Sequence, residues 1–548
     1  MPIGGQLIVA CLEAQGTDRV FCVPGESYLP VLDALYDSPI ETIVARQEGG
    51  AAMMAEADGK ATGRPGICFV TRGPGASNAM SGVHVAQQDS TPLILFIGQV
   101  AREFRGRDAF QEMDFETTFS AVAKLTLEIN HTSKIPEVMS QAFNTAINGR
   151  PGPVVISLPE DMLTDETNAQ PCALVTPEEN VPQKKTIDEF EALLRAAKAP
   201  VVIVGGSRWN AESVNKVQRW ANSNKIPVTA SFRRQHLFDN LDAAYIGDLG
   251  IGANPELLGL IEKSDLVILL GGRLSEIPSQ SFTLLDVPQP KQQLVHIHPG
   301  PEDLGRVYQP TMAINASPGA FLEAISVATK TKDSDYLPNA HDSYLKWSIP
   351  SPGDQGQINM GGLVHKLCDE LSDDAIITNG AGNYASWIHR YYRFRSFQSQ
   401  FAPNSGSMGY GLPAAIGAKL RFPERQVVCF AGDGCLQMTI QELGTAKQYG
   451  VNIIVIVVDN GMYGTIRMHQ ERSFPYRVSS TELINPDFAQ IAEAYGFFSG
   501  TAETDDQFNA LFQAALEEAK PCLIHLKTNP EEITPTMTIS QLRDRSSN

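Results

Sequence analysis

The chain has 548 residues, of which 43% are hydrophobic and 19% are charged, and its formal net charge at pH 7 is −19. This composition is typical of a globular protein with an ample core, and the length suggests about three or four domains. The excess of acidic residues argues against nucleic acid or an anionic membrane as the main partner. No apolar stretch reaches about 18 residues, so we expect no transmembrane helix.

The cysteines and the first residues bear on the cellular compartment. The eight cysteines are scattered, form no CxxC pair, and in several cases lie inside apolar runs such as "CFAGDGC". Free, buried thiols fit this pattern better than a disulfide framework or a zinc site. The start, "MPIGGQLIVACLEAQ", has neither the basic region nor the cleavage pattern of a signal peptide. We therefore expect a cytoplasmic protein.

Residues 1–165 alternate strand-like and helix-like segments. The strand-like segments are short apolar runs rich in β-branched residues, as expected for strands that are buried on both faces. They are "RVFCVPG", "TIVARQE", "GICFVTRGPG", "PLILFIGQ" and "PVVISLPED". This alternation predicts an α/β domain built on a doubly wound parallel sheet.

The second of these segments ends at Glu48, ahead of a helix whose first turns are rich in Gly and Ala. One interpretation is a solvated carboxylate that is favourably placed at the positive end of the helix dipole. The other is a partly buried acid with a chemical role, because open α/β sheets bind ligands at the carboxyl ends of their strands. The residues alone leave both interpretations open.

Two further α/β blocks follow. Residues 166–185 are polar and contain prolines, which is typical of a linker, and residues 186–332 repeat the strand and helix pattern. A second linker precedes the third block, residues 357–530, and we expect the polar tail, residues 531–548, to be mobile or to fold over the site. "VGGS" and "LGGR" in the second block are weak nucleotide signals, because paired glycines at strand ends are commonly turn residues.

Two strand-like runs of the third block end near an oxygen-bearing side chain. "VVCFA" leads to Asp433 and "NIIVIVV" leads to Asn460, with a helix-like segment between them. A strand–helix–strand unit makes the two strands parallel, so both side chains should reach the same edge of the sheet. Carboxylate and amide oxygens suit Mg²⁺, whose other ligands are typically water and phosphate oxygens. Alternatively, Asp433 caps the helix and Asn460 lies in a turn.

The order of several motifs resembles the thiamine-diphosphate (ThDP) enzymes of the acetohydroxyacid synthase and pyruvate oxidase type along nearly the whole chain. The matching stretches are "VPGE", "RQEGGAAMMAEADGKATG", "TRGPGASN", "DAFQEMD", "GSMGYGLPAAIGAK", and "GDG" followed by "DN". The resemblance implies three doubly wound α/β domains. They would be a pyrimidine-binding domain (1–165), a central domain like an FAD-binding one (186–332) and a diphosphate-binding domain (357–530).

By the same resemblance, the cofactor is ThDP and it is held through Mg²⁺. Glu48 matches the glutamate that hydrogen-bonds N1′ of the aminopyrimidine and promotes deprotonation of thiazolium C2, so it would be the catalytic residue. Met408 would be the apolar wedge that bends the cofactor, and the carbonyl of Gly406 would accept a hydrogen bond from its amino group. The implied metal ligands are Asp433, Asn460 and the main-chain carbonyl of Met462.

Other residues implied to contact the cofactor lie in or next to the same motifs. They are Pro24, Gly25, Asn383, Tyr384, Gly432, Gly434, Tyr463 and Gly464. In such enzymes the catalytic glutamate and the metal site come from neighbouring subunits. The resemblance therefore implies a homodimer as the minimum working unit, and a homotetramer is common among such enzymes.

The chain departs from the synthases at positions that bear on the substrate. Glu26 stands where the synthases usually have the last glycine of "PGG", and a neighbour such as Arg72 could neutralise its carboxylate. Gln47 replaces a histidine that precedes the catalytic glutamate, and His469 replaces a tryptophan that favours larger acceptors. Further residues that match positions near the substrate or its channel are Phe110, Gln111 and Lys124. The flavin-binding stretch is poorly matched, so we expect little or no FAD.

The complete cofactor set favours an enzyme that decarboxylates a 2-oxo acid and then protonates the enamine or adds it to a second carbonyl, as in acetolactate formation. One alternative is a ThDP-dependent C–C lyase acting on 2-hydroxy ketones, because Glu26 would repel a substrate carboxylate. Another is a non-catalytic, cofactor-binding regulatory subunit, which nothing in the sequence supports. We expect a small-molecule substrate and self-association, with neither nucleic acid nor membrane as a partner.

Overall fold

The computed structural model describes residues 1–328, 336–353 and 356–546. The predicted end of the central block at residue 332 and the last two residues of the predicted tail lie outside this part of the chain. Two compact units are present. The first consists of Met1–Glu178, Pro403–Pro423 and Thr439–Val451, and the second consists of the rest of the described chain. All eight cysteines are free thiols, and no described helix is both long and apolar enough to cross a membrane.

The first sheet has six parallel strands in the order β2-β1-β3-β4-β6-β5. Its strands are β1 (Arg19–Cys22), β2 (Glu41–Val44), β3 (Gly66–Val70), β4 (Leu93–Gln99), β5 (Leu125–Glu128) and β6 (Pro153–Pro159). The helices of this region are α1 (Gly4–Ala14), α2 (Leu29–Tyr36), α3 (Glu48–Thr62), α4 (Gly73–Asp89), α5 (Phe115–Phe119) and α6 (Ile135–Ile147). β5 was not predicted, because it is an edge strand whose four residues are all half-buried and lack an apolar run.

The second sheet also has six parallel strands, in the order β12-β11-β10-β7-β8-β9. Its strands are β7 (Pro200–Val204), β8 (Val228–Ser231), β9 (Tyr245–Leu249), β10 (Leu266–Leu270), β11 (Gln293–His298) and β12 (Met312–Asn315). The helices are α7 (Lys184–Ala196), α8 (Ala211–Asn224), α9 (Pro255–Lys263), α10 (Pro318–Ala324) and α11 (Tyr336–Trp347).

The paired glycines after β7 and β10 face each other in this sheet. A Cβ atom on Gly206 would overlap the carbonyl oxygen of Gly271, and one on Gly271 would lie 2.6 Å from the carbonyl oxygen of Gly205. Gly206 and Gly271 also have positive φ values of 71° and 79°. Close packing of the two turns therefore explains these glycines without a bound nucleotide.

The third sheet has the order β14-β13-β15-β16-β18-β17, and its strands are again parallel. They are β13 (Ile376–Asn379), β14 (Gln400–Phe401), β15 (Val427–Gly432), β16 (Ile454–Asp459), β17 (Phe498–Ala502) and β18 (Cys522–Lys527). The helices are α12 (Met360–Glu370), α13 (Tyr384–Tyr391), α14 (Gly411–Arg421), α15 (Asp433–Leu436), α16 (Leu443–Gln448), α17 (Gly464–Ser473), α18 (Phe488–Ala494) and α19 (Asp505–Glu517). Three doubly wound parallel sheets confirm the predicted α/β class.

The segment between β15 and β16 differs from the single helix that its spacing suggests. It forms two short helices, α15 and α16, with an interruption at Thr439, where φ is −140°. The Thr439 hydroxyl donates a hydrogen bond to the carbonyl oxygen of Gly409 at 2.7 Å. Met438, which fits the apolar spacing of a continuous helix, is 48% exposed as a result of this break.

Helix α14 belongs to the first unit and packs against α3, although the third sheet contains its flanking strands. Small residues permit the close approach: a Cβ on Gly417 would lie 2.8 Å from the carbonyl oxygen of Met54. Ahead of α16, the buried Glu442 accepts the main-chain N–H of Arg46 at 3.2 Å, and a Cβ on Gly50 would meet its Oε1 at 2.5 Å. The start and the middle of α3 thus pack against residues from much later in the chain.

The predicted tail is folded as far as it is described. It forms a small hairpin, β19 (Glu532–Thr534) and β20 (Met537–Thr538), followed by α20 (Ile539–Ser546). Its apolar residues Ile533, Ile539 and Leu542 are buried in one cluster with Met462. The tail therefore packs against the loop that carries Met462.

The tail is held by an ion pair that gives the first prediction. The guanidinium of Arg543 donates to Glu471 through Nε at 2.8 Å and NH2 at 2.7 Å, and Glu471 is fully buried. Replacing Arg543 with alanine should destabilise the tail by about 2 kcal/mol, because hydrogen bonds to charged groups contribute roughly 1.5–3 kcal/mol. Limited proteolysis should then cut residues 531–546 faster. Arg545→Ala, on the same helix, loses only a weak contact with Sδ of Met537 and should change the rate far less.

The same pair predicts a pH dependence. The bonds from Arg543 hold the pKa of Glu471 down to about 2, below its ordinary value of 4.5. A carboxyl group with a lowered folded-state pKa stabilises the fold above its unfolded-state pKa, and this contribution is lost as the pH falls towards the folded-state value. Proteolysis of the tail by an acid-active protease should therefore accelerate between about pH 4.5 and pH 2. A rate that stays flat over this range would contradict the role given to Glu471.

Candidate functional site

Glu48 is the first residue of α3 and is partly buried. Its Oε2 accepts a hydrogen bond from Nδ2 of Asn78 at 2.9 Å. The capping bond of the helix belongs to the preceding residue, since Oε1 of Gln47 accepts the N–H of Gly50 at 3.1 Å. The carboxylate of Glu48 therefore does not cap the helix, although it lies in the first turn, and its chemical role stays a prediction. A substrate contact by Gln47 stays a prediction.

The loops after β1 and β3 lie together at the same edge of the first sheet. The hydroxyl oxygens of Ser27 and Thr71 are 3.0 Å apart, and a Cβ on Gly25 would lie 2.5 Å from Cβ of Thr71. Gly25 is thus required by a close approach, while Pro24 next to it is exposed. These contacts set the position of the following residue, Glu26.

Arg72 is buried between two carboxylates. Its NH1 lies 3.1 Å from Oε1 of Glu26, and its NH2 contacts Oε2 of Glu160. The structure thus pairs Arg72 with Glu26, as the sequence suggested, but the same guanidinium is shared with Glu160. The side chain of Glu26 is 70% exposed, so water screens its ion pair with Arg72 and the pair contributes little stability. With one guanidinium for two carboxylates, the cluster carries an excess negative charge when both acids are ionised.

The other three residues implied near the substrate are spread over the first unit. Phe110 is 75% exposed. Gln111 has a positive φ of 64°, and its carbonyl oxygen accepts the N–H of Gly73 at 3.1 Å, which ties this loop to the start of α4. The ammonium group of Lys124 donates to two main-chain carbonyls at the end of α6. None of these contacts tests a substrate role, so the three assignments stay predictions.

The loop that carries Gly406 and Met408 precedes α14 and is anchored on α3. Gly406 is exposed and has a φ of 66°, a conformation that favours glycine, and Met408 is half-buried. The hydroxyl of Tyr410 donates to Oε2 of Glu56 at 2.6 Å, and both residues are fully buried. The first unit therefore joins the helix that begins at Glu48 to the loop of the predicted wedge.

Sequence reasoning missed Glu56 and Tyr410. A signal was present, since "MMAEADGKA" places three charged residues, Glu56 among them, in a stretch that is otherwise apolar or small. The loop that carries Gly406 also holds unsatisfied polar atoms. Within the described residues, neither Oδ1 of Asn404 nor Oγ of Ser405 has a hydrogen-bond partner. Unpaired acceptors and hydroxyls beside Gly406 fit a loop that contacts a polar ligand.

Asp433 and Asn460 follow β15 and β16, which are paired in parallel, so they lie at the same edge of the third sheet as predicted. Asp433 is 3% exposed, begins α15 without a capping bond of its own, and accepts the N–H of the next residue, Gly434, at 2.8 Å. Oδ1 of Asn460 accepts the N–H of Met462 at 3.3 Å, a turn bond that leaves another lone pair free. A Cβ on Gly464 would lie 3.0 Å from Nδ2 of Asn460.

A polar network that the sequence did not reveal surrounds these residues. Nδ2 of Asn485 donates to Oδ2 of Asp433 and to Oδ1 of Asp459, both at 2.8 Å. Oδ2 of Asp459 lies 2.8 Å from Nε2 of His525. Burial raises the pKa of Asp433 to about 6. Burial also raises the pKa of Asp459, but the hydrogen bonds from His525 and Asn485 outweigh this effect and lower the pKa to about 2.

Glycines line the turns at this edge because aromatic rings pack against them. A Cβ on Gly432 would lie 3.0 Å from the ring of Tyr384, and one on Gly434 would lie 2.6 Å from the ring of Tyr463. Tyr384 is buried, and its hydroxyl accepts the N–H of Gly380 at 3.0 Å. The side chain of Tyr384 thus supports the loops, and any contact with a cofactor stays a prediction.

Asn383 and His469 have other partners within the second unit. Nδ2 of Asn383 donates to the carbonyl oxygen of Ile533 at 2.9 Å, and its Oδ1 accepts from the Thr465 hydroxyl at 2.9 Å, so its side chain links the tail to α17. His469 is exposed on α17, and its Nδ1 contacts the guanidinium of Arg472. Partial desolvation of the ring and the charge of this guanidinium lower the pKa of His469. The cofactor and substrate roles of these two residues stay predictions.

The donor set at the edge of the third sheet is compatible with a hard cation. In the part of the chain described, no group of three or more His, Cys, Asp or Glu side chains could hold a metal ion. The oxygens of Asp433, Asn460 and the Met462 carbonyl are hard donors, but three donors leave an octahedral Mg²⁺ incomplete. The residues therefore fit a cation whose remaining ligands come from a diphosphate and water.

Comparison with known proteins identifies the family. The thiamine pyrophosphate enzyme N-terminal TPP binding domain matches residues 3–118, the central domain matches residues 187–325, and the C-terminal TPP binding domain matches residues 380–526. The chain belongs to the thiamine pyrophosphate enzyme family. The three matched regions correspond to the three parallel sheets, so each sheet now has a counterpart in the family.

Curated relatives of this thiamine pyrophosphate enzyme are acetolactate synthases. The acetolactate synthase isozyme 2 large subunit of Escherichia coli strain K12 is 31% identical over 533 residues, which cover 96% of each chain. The isozyme 1 large subunit of the same strain is 32% identical over 96% of this chain and 94% of its own. The acetolactate synthase large subunit of Corynebacterium glutamicum is 31% identical over 90% of this chain and 81% of its own. The protein is therefore an acetolactate synthase-like enzyme that uses ThDP.

Proposed function

We propose that the protein is a ThDP- and Mg²⁺-dependent enzyme that decarboxylates a 2-oxo acid and releases an aldehyde or transfers the remaining acyl unit to a second carbonyl compound. The observation that carries the proposal is the position of Glu48. Its partly buried carboxylate lies at the start of α3, where Gln47 makes the capping bond instead. The curated relatives named acetolactate synthase support carboligation as the leading reaction.

The residues have distinct roles in this proposal. When bound, ThDP supplies the carbanion chemistry, and the protein supplies orientation and electrostatics. Glu48 would hold and exchange a proton at the aminopyrimidine ring, and Met408 would support the bent conformation of the cofactor. The cation would be held by Asp433, Asn460 and the carbonyl of Met462. Because related enzymes combine the glutamate of one subunit with the metal site of another, we propose a homodimer as the minimum unit, with a homotetramer as the larger assembly.

A second candidate is a ThDP-dependent C–C lyase that acts on neutral 2-hydroxy ketones. The cluster of Glu26, Arg72 and Glu160 favours it, because one guanidinium faces two carboxylates and the exposed Glu26 can repel an anionic substrate. The non-catalytic regulatory subunit has no observation in its favour, since each position proposed to hold the cofactor is filled by a chemically competent residue.

One experiment separates the three functions. Purified protein with ThDP and Mg²⁺ is incubated with a panel of 2-oxo acids and 2-hydroxy ketones, and CO₂ release and products are followed by mass spectrometry. Release of CO₂ with an aldehyde or acyloin product supports the proposal. Cleavage of a hydroxy ketone without CO₂ would identify the lyase. Absence of CO₂ and of any product across the panel, with ThDP bound, would favour the regulatory subunit.

We predict further that the enzyme uses little or no FAD. The paired-glycine turns of the second sheet are explained by their contact with each other, and "GGRLSEIPSQSF" does not match the flavin-binding stretch of the synthases well. The purified protein should therefore lack flavin absorbance, and added FAD should not change the rate of turnover. A flavin spectrum that survives gel filtration at a stoichiometric level would contradict this prediction.

A further inference from the structure

The segment Thr481–Leu483 lies alongside the loop that carries Met462. The N–H of Tyr463 donates to the carbonyl oxygen of Thr481 at 2.9 Å, and the N–H of Leu483 donates to the carbonyl oxygen of Gly461 at 2.8 Å. An antiparallel bridge joins Met462 to Glu482 between these two bonds. The peptide groups around Met462, including the carbonyl implied in metal binding, are therefore held by a second strand of chain.

Asn485 is two residues beyond this segment, and its side chain faces the ends of β15 and β16. One amide nitrogen donates to Asp433 and to Asp459, both at 2.8 Å, and its oxygen accepts from Nε2 of Gln437 at 3.0 Å. The amide therefore uses both N–H groups and its carbonyl oxygen. A segment that fixes the Met462 loop through its backbone thus also fixes Asp433 through a side chain.

The chemistry of an amide suits this position. Two carboxylates at the carboxyl ends of neighbouring strands repel each other, and Asn485 bridges them with two N–H groups while adding no charge. Asp433 receives one hydrogen bond on each oxygen, from Gly434 and from Asn485, so its rotation is fixed and a lone pair on each oxygen remains. Asp459 is held on its other oxygen by His525.

From this geometry we infer that Asn485 is a positioning residue for the divalent cation of the proposed site. It orients the carboxylate of Asp433 and, through the segment Thr481–Leu483, the carbonyl of Met462, so that two donors from different loops face one ion. Asn485 does not ligate the ion itself. The inference rests on the proposed function, because it concerns the cation that would hold the diphosphate of ThDP.

Replacing Asn485 with alanine should weaken cation binding about 10- to 100-fold, as is typical when a residue that orients a metal ligand is removed. Mn²⁺ is titrated into the full-length protein with ThDP present, and the free ion is followed by electron paramagnetic resonance. Gln437→Ala, which leaves the bonds from Asn485 to both carboxylates in place, should weaken binding less. The melting temperature without metal reports separately on folding.

Asn452→Ala is the matched control. Asn452 is also half-buried in the second unit, and its Nδ2 donates one hydrogen bond, to the carbonyl oxygen of Glu518 at 3.0 Å. The control should bind Mn²⁺ like the wild type. If Asn485→Ala does not fold, Asn485→Ser, which is too short to bridge both carboxylates, takes its place with the same expected loss.

The outcomes distinguish the inference from the proposed function. Wild-type protein that takes up neither Mn²⁺ nor ThDP would overturn the proposed function and the inference with it. Normal binding by the wild type and equal affinity in the Asn485 variant would overturn the inference alone. A weakened affinity that is matched by Asn452→Ala would also overturn it, because a general loss of stability would then account for the change.

Discussion

Glu48→Gln should bind ThDP with nearly the wild-type affinity and turn over substrate about 10²- to 10⁴-fold more slowly, the usual contribution of a general acid or base. Glutamine has nearly the same size and can still form hydrogen bonds, including one with Asn78, but it has no carboxylate to exchange a proton. Isothermal titration calorimetry measures the binding of ThDP, and the initial rate with the best substrate of the panel measures turnover.

The matched control is Glu41→Gln. Glu41 opens β2, the strand that leads to Glu48, and its exposed carboxylate pairs with Arg19 at 2.7 Å. The control makes the same chemical change at the opposite end of that strand, and its rate should stay close to that of the wild type. Full activity of Glu48→Gln would remove the central argument for the proposed function.

In Asp433→Asn the affinity for ThDP in the presence of Mg²⁺ should fall by at least about 100-fold. Changing a residue that only orients a metal ligand typically costs about 10- to 100-fold, and losing a ligand should cost more. The variant keeps the size of the side chain, but an amide oxygen is a weaker donor than a carboxylate and carries no charge. Calorimetric titration with ThDP at several Mg²⁺ concentrations gives the measurement. Unchanged affinity would show that Asp433 does not hold the cation.

The folded state of this variant should remain intact. Removing the charge of a buried carboxylate close to Asp459 relieves desolvation and repulsion, but the amide nitrogen can no longer accept one of the two hydrogen bonds from Gly434 and Asn485. Because these effects oppose each other, the melting temperature without metal should stay close to that of the wild type. Asp374→Asn, an exposed change ahead of β13 at the other end of the same sheet, serves as the control and should bind ThDP normally.

The pH dependence of cation binding follows from the same carboxyl group. Mg²⁺ binds the ionised form, and burial raises the pKa of Asp433 to about 6, so protons should compete with the metal below that pH. The wild-type affinity for Mg²⁺ should therefore fall as the pH is lowered through 6, and the residual binding of Asp433→Asn should lack this dependence.

Local patterns in the sequence were sufficient for the inner strands of the three sheets. Buried parallel strands such as β3, β4 and β16 are continuous apolar runs, and a strand–helix–strand unit forces Asp433 and Asn460 to one edge. The position of Glu48 at the start of α3 followed from the same rule. Edge strand β5 escaped prediction because a half-buried strand needs no apolar run.

Long-range contacts could not be predicted from the residues. The bond between Glu56 and Tyr410 joins positions 354 apart in the chain, and the bond between Asp433 and Asn485 joins positions 52 apart. A buried acid or an asparagine in a loop has no local pattern that names its partner. The break at Thr439 was missed for the same reason, since its hydroxyl bonds to Gly409 in another loop.

The packing of α14 on α3 has a consequence for biosynthesis. A chain emerging from the ribosome exposes the small-residue face of α3 until residues 403–423 and 439–451 have also been made, because these segments complete the first unit. The amino-terminal third should therefore depend on chaperones while translation continues. Gene fragments that stop before residue 403 should give aggregated product instead of an independent domain.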